Sequence, residues 1–319
     1  MSRATTALST VTNVTTIAAA VDEYLASVRA RGGSPRTEDF YSNTLNRVLL
    51  PWCKRAGVTE LGQLDQPLLD RLNGDLLRTV SEHTAKPLSP ASVASYLRGV
   101  RQFVRWAQAS GRASQGLKVQ RVKVPRKMLD TMSRPEMAEL EAAAATERDR
   151  LLIRILSDTG LRLAELMGLT TDSLIEQGRE RYLKVTGKGS RERLVPVKPA
   201  LFTRLKRYAE QGRPVDCHTD RIFISARRRP NSGTYEALDG RAVQQMLSAL
   251  GRKVGQRKPV NPHAFRHSWV TNTLRAGASP IIVAKIAGHA DLDMIATVYQ
   301  HLVDTDAHRE LMRVLASED

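Results

Sequence analysis

Arg162 stands in the segment Thr159-Gly-Leu-Arg-Leu-Ala-Glu-Leu166, three residues before Glu165. On a helix that spacing puts the two side chains on one face. A guanidinium held by a carboxylate can grip two oxygens of a phosphate at once. His263 and Arg266, in His-Ala-Phe-Arg-His267, repeat the i, i+3 spacing, so a titratable ring and a second cation converge on one spot. His289 follows Gly288 after a strongly apolar run, where a helix should stop and a polar group can face a site. Tyr299 lies ten residues further on. A phenol ionises near pH 10, so it becomes a nucleophile only where neighbours assist proton loss or stabilise phenolate, as arginines and histidines do. Lys188, in Gly187-Lys-Gly-Ser190, sits at the tip of an expected turn, from which a mobile ammonium could donate a proton to a departing oxygen. Taken singly, each has a plainer reading. These are a surface Arg–Glu pair, a stacked arginine beside a core histidine, a structural histidine, a helix tyrosine and an exposed turn lysine.

Enzymes that cut DNA with metals hold Mg²⁺ on clustered carboxylates, and no such cluster stands at helical or strand spacing here. The reading is therefore of a site with no metal and no cofactor, in which side chains neutralise the phosphate and supply the nucleophile. Lys plus Arg number 49 against 33 Asp plus Glu, a net charge of +16, and the pI is near 10.3. A protein so basic meets a polyanion, or carries the charge only as a solubilising surface. The two cysteines, Cys53 and Cys217, have no metal-ligand spacing and suggest no disulfide framework. The apolar run Ile17–Val21 is too short for a signal core or a membrane span, so the expectation is a cytoplasmic protein that does not meet a membrane.

The elements that must position these residues can be read from periodicity. Residues 1–14 look like a flexible tail. Helices are expected near 16–30, 34–55, 66–81 and from Pro90 to Gly111. The last begins on the N-cap Ser89 and carries Val93, Leu97, Val100, Phe103, Val104 and Ala107 at i, i+3, i+4 spacing. Residues 15–112 thus form a small all-helical domain. The segment 113–132 reads as a basic linker. It contains Lys118, Arg121, Lys123, Arg126 and Lys127 on an extended stretch interrupted by Pro125. It could follow a phosphate backbone or be solvated only. A second domain, 133–319, opens on Ser133 with Glu136 as a capping box. Helices are expected at 134–145, 148–158, 199–211, 240–250, 263–276, 280–287 and 306–316. Tyr182–Thr186 and Arg193–Val197 flank the glycine turn as a β-hairpin. The fold class is mainly α with a small β-sheet or hairpin.

Read together, Thr-Gly-Leu-Arg162, Gly-Lys188-Gly, His263-x-x-Arg266-His, Gly-His289 and Tyr299 resemble the tyrosine site-specific recombinase (phage integrase) family, in order and in spacing. The resemblance covers about residues 134–305, and 15–112 is similar to the family's core-binding domain. Two details differ: Ala287 stands where Leu often precedes Gly-His, and the gap from His289 to Tyr299 is one residue longer than in many members. The resemblance implies an N-terminal all-helical SAM-like core-binding domain and an α+β catalytic domain that together clamp duplex DNA. It implies that Arg162, Arg266 and His289 hold the scissile phosphate and that Tyr299 attacks it, leaving a 3′-phosphotyrosine and a free 5′-hydroxyl. Lys188 would be the general acid. His263 would be a general base or a further phosphate contact, and Glu165 would orient Arg162.

Charge and position add Arg36, Thr37, Tyr41, Arg98 and Arg101 in the first domain, and Arg191 and Arg241 in the second, as DNA contacts that set affinity more than sequence choice. The expected partner is a double-stranded recombination site, bound by a homotetramer when two sites are synapsed and by a monomer or dimer when free, with accessory proteins compatible. The segment 304–319, with Leu311, Met312 and Leu315 on one face, could dock on a neighbouring copy. Integration, excision and resolution of DNA elements all fit. Two other readings share parts of the pattern. A type IB topoisomerase-like or telomere-resolving strand transferase has the same chemistry without exchange of partners. A non-catalytic DNA-binding protein keeps the charge without the reaction.

Overall fold

Seven of the described helices have starts set locally. Thr16, Ser34, Asp65, Ser89, Ser133, Thr146 and Asn261 each accept, on the side chain, the backbone N–H of the residue three positions on. Each satisfies a donor that the first helical turn leaves without a partner. The computed structural model describes residues 15–81, 84–125, 130–187, 189–214, 217, 219–228, 233–288, 295–296, 311–312 and 315–316. The chain divides into two units, Met1–Lys127 and Met128–Asp319.

The first unit is helical: α1 (Ile17–Ala30), α2 (Pro35–Thr44), α3 (Leu50–Ala56), α4 (Gln66–Arg78) and α5 (Pro90–Ala109). The apolar stripe of α5 lies at the centre, with Val93, Leu97, Val100 and Phe103 fully buried against Leu45, Leu49 and Leu72. The single helix expected over 34–55 is interrupted by a π turn, Leu45–Leu49. The cause is Pro51, which has no N–H to give to the carbonyl four residues back and whose ring would clash with it. The wider turn makes room ahead of the proline. Helix α4 ends at Arg78, short of the expected 81, as Thr79 turns extended and its hydroxyl donates to the Asp75 carbonyl at 2.8 Å.

The beginning of the basic segment is docked on this unit. Val119 is buried in the core cluster. The Gln66 side chain both donates to and accepts from the Lys118 backbone, at 2.9 and 2.8 Å. Arg101 donates to the carbonyls of Val119 and Gln120 at 3.1 and 3.0 Å.

The second unit contains α6 (Arg134–Ala143), α7 (Glu147–Thr159), the short α8 (Leu163–Met167), β1 (Leu174–Gln177), β2 (Glu180–Thr186), β3 (Glu192–Pro196), α9 (Pro199–Arg207), α10 (Gly240–Lys253), α11 (Pro262–Arg275) and α12 (Pro280–Ala287). Helix α7 runs through the core, with Leu151, Leu152, Ile153, Ile155 and Leu156 buried against α6, α9 and α11. The expected hairpin is part of a three-stranded antiparallel sheet of order β1-β2-β3. Strand β1 pairs Leu174 with Leu183 and Gln177 with Glu180. It has four residues and no alternating pattern, so its strand character comes from pairing with β2. Helix α9 gives way to a π turn, Tyr208–Gly212, where periodicity alone predicts an uninterrupted helix to 211. Among the described residues no helix is long and apolar enough to cross a membrane.

Candidate active site

The tail 1–14, Arg126, Lys127, Lys188, His289 and Tyr299 lie outside the described residues, as does most of the segment 304–319. The described part of the site is built where α8, β3, α11 and the end of α12 meet. Gly160 caps α7 in the left-handed region, at φ +61°, and the chain turns through it to Arg162, the N-cap of α8. The turn suits glycine doubly. A side chain there would be strained, and its Cβ would stand 2.5 Å from the Trp269 ring. Glu165, in the first turn of α8, reaches back to accept the Arg162 backbone N–H at 2.9 Å on Oε2. Its Oε1 takes the Arg162 side chain, Nη1, at 3.0 Å. The pairing expected from the i, i+3 spacing is present, and the carboxylate is the more buried partner. Glu165 is the buried partner, its side chain 3% exposed, and Arg162 is 32% exposed.

Arg266 comes from the first half of α11 and is 3% exposed. Two of its donors are directed at main-chain carbonyls. Nη1 donates to Gly160 and Nη2 to Ala287, both at 2.6 Å. Burial, and then repulsion from Arg162 and Arg193 against the attraction of Glu165, brings the guanidinium down to about 10. It therefore stays charged at neutral pH. His263, one turn earlier on α11, is exposed. His267, on the next position after Arg266, is half-buried, and burial followed by His263 lowers its basicity. Its Nδ1 has no hydrogen-bond partner among the described residues.

A third arginine belongs to the cluster, one that the sequence shows only as a strand residue. Arg193 on β3 makes a two-pronged bond to Glu165, Nη1 to Oε1 at 2.8 Å and Nη2 to Oε2 at 2.9 Å. Its Nε donates to the Ile286 carbonyl at 2.8 Å. A signal for it exists in the strand alternation. Arg193 shares a face with the fully buried Val195, and an inward-facing arginine needs an acidic partner.

The three guanidiniums converge on the carbonyl of Ala287, from Arg266 at 2.6 Å and from Arg162 and Arg193 at 3.4 Å each. That carbonyl closes α12, where the helix dipole is negative, and the next residues are Gly288 and His289. Gly288 has φ +87°, and a Cβ on it would press on Arg162 Nη1 at 3.3 Å and Arg193 Cζ at 3.4 Å. Burial works to raise the Glu165 carboxyl. The hydrogen bonds from Arg193 and the Arg162 backbone, with both cationic charges, outweigh it and hold the group below the usual carboxylate range. Three cations and one carboxylate leave this cluster positive, as a phosphate site requires.

The residues read as DNA contacts have varied settings. Arg36, Thr37, Arg98, Lys118, Arg121, Lys123, Arg191 and Arg241 are exposed. Arg98 also lies over the Phe40 ring at 4.8 Å. Tyr41 is half-buried, edge-on to Tyr24 with ring centres 5.4 Å apart. Arg101 spends its guanidinium on the carbonyls of the docked basic segment.

Residues 128–306 match the phage integrase family. The chain is 30% identical to the tyrosine recombinase XerD of Lacticaseibacillus casei over 71% of its length and 78% of that protein. It is 29% identical to the tyrosine recombinase XerD of Chlorobaculum tepidum over 88% of its length and 89% of that protein. Its fold is similar to that of a lambda integrase solved as a tetramer bound to a Holliday junction. There the TM-score is 0.65 at 17% identity, covering 87% of this chain and 78% of the other. The chain thus belongs to the phage integrase family, the tyrosine site-specific recombinases that cleave and rejoin DNA.

Proposed function

We propose that the chain recombines duplex DNA through a covalent bond from Tyr299 to a backbone phosphate. Arg162 and Arg266 hold the scissile phosphate, with His289 as a further donor. The Tyr299 oxygen attacks phosphorus, helped by His263, and the bond to the 5′-oxygen breaks. Lys188 gives that oxygen its proton, which leaves a 3′-phosphotyrosine and a free 5′-hydroxyl. Attack by a 5′-hydroxyl from a second duplex reverses the step and restores the phosphodiester. The bond energy is kept in the protein–DNA linkage throughout. The observation that carries this reading is the convergence of Arg162 and Arg266 on the Ala287 carbonyl, directly before Gly288-His289. Exchange between two duplexes requires copies of the chain on both, and the homotetramer expected from the family resemblance meets that need.

The test is a duplex nicked just downstream of the cleavage point, so that the short fragment bearing the new 5′-hydroxyl diffuses away and the adduct accumulates. Wild-type chain should form a covalent adduct without added metal, and Tyr299→Phe should form none. A second labelled duplex in the same tube separates the alternatives. Recombinant product supports exchange, adduct with relaxation only supports a topoisomerase-like enzyme, and binding without adduct supports a non-catalytic protein and sinks the proposal.

A further inference from the structure

We propose that Arg193 is a positioning residue for the cleavage step: it saturates Glu165 and ties it to the end of α12, so that Glu165 orients Arg162 without capturing it. The inference rests on the recombinase reading and adds a residue to it.

A carboxylate has about four lone-pair sites, and on Glu165 all four are filled. Oε1 takes Arg162 Nη1 at 3.0 Å and Arg193 Nη1 at 2.8 Å. Oε2 takes the Arg162 backbone N–H at 2.9 Å and Arg193 Nη2 at 2.9 Å. Arg193 therefore supplies the two-pronged bond to Glu165, which Arg162 meets through its side-chain Nη1. The preferred arrangement of a buried carboxylate with a single guanidinium is fork to fork. Without Arg193, two sites on Glu165 open beside Arg162, three residues away on the same short helix. Arg162 would turn into them, and its charge would be neutralised by Glu165 when it should face a phosphate.

Arg193 also fixes where this happens. Its Nε holds the Ile286 carbonyl at 2.8 Å, and Nη2 reaches that of Ala287 at 3.4 Å. One side chain, 17% exposed, thereby joins β3, α8 and the end of α12. Lysine cannot replace it, because one ammonium does not present a planar fork to the carboxylate and a third donor to Ile286.

The experiment measures single-turnover cleavage of the nicked duplex at saturating protein, with duplex affinity and thermal melting measured beside it. Arg193→Lys should cleave about 10- to 100-fold more slowly, the range for losing a partner that orients a binding group, with affinity little changed. Arg193→Gln should be slower still, and adding Glu165→Gln should restore part of its rate, because the competitor for Arg162 is then gone. A brace that merely joined β3 to α12 would lower the melting point and show no such recovery. Should Arg193→Gln not fold, Arg193→Lys keeps the charge and decides the matter alone. Wild-type cleavage rates in Arg193→Lys, or a double variant no faster than Arg193→Gln, would overturn the inference. A wild-type chain that makes no adduct is a different failure and strikes the recombinase reading itself.

Discussion

At the scale of single residues, the site shows how a buried charge is made tolerable and then used. Removing Arg266 or Glu165 from water is costly unless every polar atom finds a partner. Arg266 finds the Gly160 and Ala287 carbonyls, and Glu165 finds two arginines and a backbone N–H. Partners of this kind also fix direction, and a fixed guanidinium need not reorganise when a phosphate develops charge. Gly160 shows the cost of disturbing the arrangement. Gly160→Ala would place a methyl 2.5 Å from the Trp269 ring at φ +61°. We expect a loss of at least about 2 kcal/mol from the crowding and the left-handed backbone together. Chemical denaturation checks this, and an unchanged midpoint would mean that the turn is free to relax away from Trp269.

The elements depend on caps that also act over long sequence distances. Helix α6 begins with the reciprocal box in which the Ser133 N–H donates to Glu136 at 2.6 Å. Lys258, from the loop before α11, donates to the same carboxylate at 2.8 Å and to the Thr131 carbonyl at 2.9 Å. The Lys258 bond, then the Ser133 backbone N–H, hold the Glu136 carboxyl at about 2, against 4.5 ordinarily. A carboxyl depressed on folding adds stability that is complete above its unfolded value and disappears as pH falls through the folded one. Glu136→Gln should therefore lower the melting temperature at pH 7. The gap from wild type should close between about pH 4.5 and 2, the window set by those two values. A gap independent of pH would show that the carboxylate's charge is not what α6 uses.

Over the whole molecule the relevant quantity is the net charge of +16. Neutralising phosphates releases counterions, so the logarithm of duplex affinity should fall linearly with the logarithm of salt concentration. Lys118, Arg121 and Lys123 are exposed on a segment whose backbone is held by Gln66 and Arg101. The backbone is anchored at 118–120, which fixes where Lys118 stands and where the following cations leave the unit, and this favours phosphate contact over simple solvation. Replacing all three by glutamine should reduce the slope by roughly 0.9 for each phosphate no longer neutralised, up to about 2.7. Titrations at several salt concentrations measure it. A slope equal to that of wild type would remove this segment from the DNA interface.

Much of this was legible before folding. Helix starts depend on one residue and its neighbour three positions on, so Ser89 and Ser133 announced them. The spacing of Arg162 and Glu165 announced their pairing, which is made by the reciprocal cap at the start of α8. Features that depend on remote partners were not legible. The strand β1 exists through its pairing with β2. Most of all, Arg193 lies 28 residues from Glu165 and 93 from Ile286. Local sequence decides which groups are charged and which way a helix or strand presents them. Only the packing of β3, α8 and α12 decides which charges meet, because a carboxylate's choice of arginine is a matter of distance in space.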